Sequence, residues 1–124
     1  MPKVSRESAE IQDVGVLEDR HANLDGYTVN FVTFREELDH APLLKGLPDD
    51  RCQCPHWGYV FKGKVLYQSA DGEETHEAGD AYYIGPGHTL TVFAGTELLQ
   101  ISPTEELRLT EAAITRNMQA MQGG

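Results

Sequence analysis

Basic residues are scarce in this chain: ten lysines and arginines stand against 20 aspartates and glutamates, a formal charge of −10 over 124 residues. That balance leaves no basic footprint and argues against a general binder of nucleic-acid phosphates or of anionic membranes. Long apolar runs are missing too. No stretch approaches a membrane span, and Met1-Pro2-Lys3-Val4-Ser5-Arg6-Glu7 holds no hydrophobic signal core, so a cytoplasmic location is expected. Cysteine is limited to Cys52 and Cys54. On an extended strand Cα atoms two positions apart lie roughly 6.5–7 Å from one another, at or past disulfide reach, so both thiols are expected free in a reducing compartment. Internal repeats, a glycine-rich phosphate loop, a Gly-x-Ser-x-Gly elbow and a zinc-protease helix motif are all absent. Those absences remove several enzyme classes and select none.

What is present is ordinary globular composition, 40% hydrophobic and 24% charged, at a length suited to one domain spanning residues 1–124. Residues 1–12 are polar and without period, and read as a flexible arm. A short strand is expected at 13–18, around Val14, Val16 and Leu17. The run from Gly26 to Arg35 alternates with apolar groups on both faces, the pattern of a strand covered on both sides. Residues 36–51, broken by Pro42, Gly46 and Pro48, read mostly as loop. Short strands then follow at 52–61, 64–69, 73–78, 81–84, 88–93 and 96–101. Glycine, proline and aspartate punctuate them, and Asp71-Gly72 suits a tight hairpin. Such spacing predicts an antiparallel sandwich or barrel. The sequence Ser102-Pro103-Thr104-Glu105 reads as an N-cap serine opening a helix over 103–121. Leu107, Ile114, Met118 and Met121 fall near one face of that helix, which packs on the barrel or on a second subunit.

The most informative stretch is Cys52-Gln53-Cys54-Pro55-His56-Trp57-Gly58-Tyr59-Val60-Phe61-Lys62-Gly63. If extended, it sets Cys52, Cys54 and His56 on one face and Trp57, Tyr59 and Phe61 on the other. Two thiols and an imidazole form a soft donor set for a transition metal. Burial of the cysteines as small hydrophobes is the plainer alternative.

The segment Gly79-Asp80-Ala81-Tyr82-Tyr83-Ile84-Gly85-Pro86-Gly87-His88 resembles the second motif of the cupin superfamily, and residues 50–63 resemble the first. The resemblance implies a mainly β, double-stranded β-helix (jelly-roll) barrel with the C-terminal helix appended, and commonly a homodimer. It also implies ligand positions at Asp50, Cys52, His56 and Leu90, none of which keeps the histidine or glutamate usual in cupins. His88 shares parity with Leu90 and is the natural fourth partner. The expected metal set is therefore Cys52, Cys54, His56 and His88, with zinc first and iron second. Should one cysteine face away, three ligands and an open position remain.

Two readings of function follow. One is a small metal-binding barrel with an enclosed pocket for a small organic ligand, of dioxygenase, isomerase or lyase type if it is an enzyme. The other is a non-catalytic sensing or binding module. His21, His40 and His76 read as solvated, one of Tyr82 and Tyr83 as facing the pocket, and Asp50 and Arg51 as groups at its mouth.

Overall fold

The computed structural model describes residues 2–123. Ten strands form two antiparallel sheets. In chain order they are β1 (Glu10–Asp13), β2 (Leu17–Leu24), β3 (Tyr27–Phe34), β4 (Leu38–Asp39), β5 (His56–Lys62), β6 (Lys64–Ser69), β7 (Gly72–Glu77), β8 (Ala81–Ile84), β9 (His88–Val92) and β10 (Glu97–Pro103). One sheet runs β1-β2-β3-β10-β5-β8 and the other β4-β9-β6-β7. They face each other as a jelly-roll barrel, which the helix α1 (Thr104–Gly123) follows.

Period-two alternation builds the interior. Phe34, Val60, Tyr67, Tyr82, Val92 and Leu98 come from both sheets and are buried together. Removing such side chains from water supplies the main driving force, about 1.5–3 kcal/mol for each large one. A row on the inner face of the larger sheet runs His21–Asn30–Gln100–Gly58–Tyr82, paired strand to strand. The glycine in this row has a packing reason. The Tyr82 ring lies where a Cβ on Gly58 would be, and its hydroxyl reaches the Tyr67 hydroxyl at 3.2 Å. The Asp71-Gly72 hairpin forms as expected, with Ser69 paired to Gly72 and φ at Gly72 of 122°.

Several expectations change. The loose arm is shorter than residues 1–12, because Glu10–Asp13 pairs with Glu18–His21. The strand expected at 13–18 instead holds the turn of that hairpin, residues 14–16, with Asp13 ending β1 and Leu17 opening β2. The Arg35 guanidinium pins it, gripping the Asp13 carboxylate through two contacts of 2.8 Å. The real second strand, Leu17–Leu24, is polar in sequence because its inner face lines a cavity instead of a packed core. The helix starts at Thr104, with Ser102 and Pro103 still in β10. Along α1, Leu107, Thr110 and Ala113 are buried, whereas Met121 is exposed. The helix also closes on the 3₁₀ turn Ala41–Leu44, where Asn117 Nδ2 donates to the carbonyls of Leu43 at 2.7 Å and Lys45 at 2.9 Å. No helix among the described residues is long and apolar enough to cross a membrane.

Candidate metal centre

The barrel and α1 line a cavity of about 530 Å³. Cys52 and His56 line it, and His88 stands with them, so that the Cys52 sulfur and one nitrogen from each histidine lie within 4.8 Å of one another. The backbone explains the convergence. Cys52 forms a bridge with His88 at the start of β9, its N–H donating to the His88 carbonyl at 2.8 Å. His56, four residues on, opens β5 and pairs with Ile84 of the other sheet. The segment 52–56 thus crosses from one sheet to the other, with Pro55, which has no N–H for a ladder, on the way.

That crossing breaks the alternation on which a four-ligand set depends. Cys54 is fully buried, but its sulfur turns towards the carbonyls of Pro55 (3.4 Å) and Pro103 (4.0 Å) and packs with Leu44 and Leu107. Burial pushes its thiol up to about 12, and Cys52 and Glu106 add to the effect. The structure therefore brings together three of the four expected ligands, and Cys54 stands apart.

Each histidine is oriented by its second nitrogen. His88 Nδ1 lies 2.7 Å from the Gly85 carbonyl, an acceptor only, so this nitrogen carries the proton and Nε2 carries a lone pair. That Nε2 is buried and has no hydrogen-bond partner. His56 Nδ1 lies 2.7 Å from Ser102 Oγ, and its Nε2 is 3.6 Å from Cys52 Sγ. The serine that reads as a helix cap in sequence thus holds a site histidine. Burial, with His88 and His40 nearby, takes His56 down to about 3, and burial lowers His88 as well. Both rings are neutral at pH 7. Burial raises the Cys52 thiol, against contacts from Thr110 and the Cys54 carbonyl.

This donor set fits a metal. Tetrahedral zinc bound at ordinary lengths to one sulfur and one nitrogen holds them about 3.5 Å apart, close to the 3.6 Å between Cys52 and His56. An unpartnered buried imidazole nitrogen beside them is what an ion would satisfy, and a proton-fixing contact on the other nitrogen is the usual support of a histidine ligand.

Other residues stand where the sequence did not put them. His40 lines the cavity beside Phe34, and burial takes it down to about 4. His21 lies in β2 on the cavity wall and not in a loop. His76 is buried and stacked on Tyr82, 4.3 Å between ring centres, despite its acidic neighbours. Period-two parity within β7 was the available signal. Tyr82 faces inward and Tyr83 outward, and Leu90 lines the cavity as an apolar group. Asp50 and Arg51 do not line it; Asp50 instead accepts from the Gly46 N–H at 2.9 Å.

No protein-family model matches this sequence, and no curated protein matches it. Solved structures do. An RmlC-like cupin from Shewanella frigidimarina NCIMB 400 superposes with a TM-score of 0.56 at 19% identity, over 81% of this chain and 88% of that one. The polyketide cyclase RemF from Streptomyces resistomycificus gives 0.57 at 15% identity, over 83% and 79%. A sugar phosphate isomerase from a cupin superfamily, from Silicibacter pomeroyi DSS-3, gives 0.57 at 17% identity, over 82% and 75%. At these identities the likeness is one of fold, and the fold is that of the cupins.

Proposed function

We propose that this cupin-fold chain holds a divalent transition metal, zinc before iron, through Cys52, His56 and His88, and takes a small organic ligand in the adjoining cavity. The observation that carries the reading is the lone pair of His88 Nε2, buried without a partner beside Cys52 and His56. A metal bound there supplies Lewis-acid polarisation of a ligand oxygen. The chain's own part is to fix the ligands. Gly85 and Ser102 hold the outer nitrogens of the two histidines, and α1 brings Thr110 to 3.3 Å from the Cys52 sulfur.

Three convergent protein ligands, with Cys54 turned away, leave a coordination position for the ligand, which favours a metal-dependent enzyme of isomerase or lyase type over a closed structural site. The alternative is a non-catalytic metal- or ligand-sensing module. It draws support from the Thr110–Cys52 contact, through which occupancy of the site would be felt by α1. Two free buried cysteines suit a reducing, cytoplasmic setting. The exposed aromatic face of β5 and β8 suits a homodimer.

The test is the metal content of untagged protein, measured alongside His88→Ala. Near-stoichiometric metal in the parent and little in the variant is expected. A metal-free parent that does not take up zinc on addition overturns the reading.

A further inference from the structure

The cavity has a second wall whose chemistry differs from the metal-facing floor. From β2, β3 and α1 come Asp19, His21, Asn30 and Glu111. Asn30 is the decisive residue. It is 4% exposed, and its Nδ2 donates to both oxygens of the Asp19 carboxylate, at 3.0 and 3.2 Å. That contact fixes the amide, since the flipped orientation would set an acceptor against acceptors. Asn30 Oδ1 is left buried with no donor.

The charge on this wall points the same way. Burial raises the Asp19 carboxyl, and partial burial followed by the Asp19 charge raises Glu111, so the two acids lie close enough to act on one another. No lysine lines the cavity among the described residues, and Arg108, which does, turns to Glu105 at 3.2 Å. His21 is the base nearest the acids, with Nδ1 3.4 Å from Asp19 Oδ2 and Nε2 3.5 Å from Glu10. A carboxylate or phosphate placed here would meet like charge and would leave Asn30 unsatisfied. A group rich in N–H donors with a positive charge satisfies Asn30 Oδ1 and faces the two acids with opposite charge.

We infer that the cavity's ligand is a small organic cation, a protonated amine whose N–H groups satisfy Asn30 Oδ1 and sit against Asp19 and Glu111. The inference rests on the cavity being a ligand site and does not require the metal. It leaves the far end of the ligand, an oxygen function in the reading above, to the Cys52–His56–His88 floor.

The experiment uses the full chain stripped of metal with EDTA and titrated with butylamine, butanol and butyrate, which differ in the charge and donor count of one group. Calorimetry, or the shift of the Asn30 side-chain amide resonances, reads the binding. Butylamine is expected to bind at least about tenfold more tightly than either competitor. The preference should shrink in Asp19→Asn and in Glu111→Gln; the second sits on the outer part of α1 and keeps the test open if the first does not fold. Equal or tighter binding of butanol or butyrate, an amine preference untouched in the folded variants, or no binding of any probe overturns the inference. Zinc uptake measured on the same preparation separates the two readings. A chain that prefers the amine but takes no zinc loses only the metal site, and one that takes zinc without preferring the amine loses only this inference.

Discussion

Cys52 and His88 are joined backbone to backbone, N–H to carbonyl at 2.8 Å in one direction and 3.2 Å in the other. Residues 36 positions apart are thereby held side by side before any metal is considered. The bridge is why a thiol and an imidazole meet at the floor of the barrel, and it separates the roles of the two cysteines.

Cys52→Ser should abolish stoichiometric zinc binding, whereas Cys54→Ser should keep it. The Cys54 sulfur faces the carbonyls of Pro55 and Pro103 and not the histidines. Elemental analysis of the two purified variants checks this. Equal loss in both would return Cys54 to the ligand set.

Ser102→Ala removes the hydroxyl 2.7 Å from His56 Nδ1. Loss of such a support to a histidine ligand weakens metal affinity about 10–100-fold. Zinc competition against a chelator measures it. Helix content by circular dichroism should not change, because α1 begins at Thr104 and Ser102 belongs to β10. A drop in helicity with unchanged affinity would make Ser102 a cap and nothing more.

Acid should destabilise the metal-free protein through its buried histidines. His56 and His40 are held at about 3 and about 4 in the folded chain, below the ordinary value near 6.5. The unfolded chain therefore binds their protons first. Their contribution to stability is present above about pH 6.5 and is lost as pH falls towards the folded values. Asp19 and Glu111, both raised, act in the opposite sense, so the contrast with a variant is the cleaner reading. Urea midpoints between pH 7 and 4 should fall less steeply in metal-free His40→Gln than in the parent. Parallel curves would mean that His40 titrates as it does in water.

The outer face of β5 and β8 presents Trp57 against Tyr83, ring centres 5.0 Å apart and the rings tilted by 51°, with Tyr59 and Phe61 beyond them, all exposed. Sedimentation should find a dimer for the parent and a monomer for a Trp57→Ser, Tyr83→Ser double variant. A monomeric parent would leave this patch without a self-partner.

Much of the barrel was legible because its strands from β5 to β10 are short, alternating and bounded by Gly, Pro and Asp. The first hairpin was not. Leu17–Leu24 reads Leu-Glu-Asp-Arg-His-Ala-Asn-Leu, and its inner residues Asp19, His21 and Asn23 line a cavity, so the hydrophobic period that marks a strand is missing. The candidate site was legible by residue type but not by geometry. Period two groups Cys52 with His56, whose side chains lie 3.6 Å apart, yet a segment that changes sheets between them frees Cys54 from that parity. Ser102 was misread because Ser-Pro-x-Glu before an apolar stripe signals a cap locally, while the contact that claims the hydroxyl comes from His56, 46 positions away. His76 was hidden by charge, since four of its near neighbours in Glu73–Glu77 are polar or acidic and only the inward-facing histidine is buried.

The most direct measurement is X-ray absorption at the zinc edge of the loaded protein. The account predicts one sulfur and two imidazole nitrogens in the coordination sphere, completed by a light oxygen or nitrogen donor that exchanges when a small ligand is added. A sphere with two sulfurs, or one that is closed and indifferent to added ligand, would contradict it.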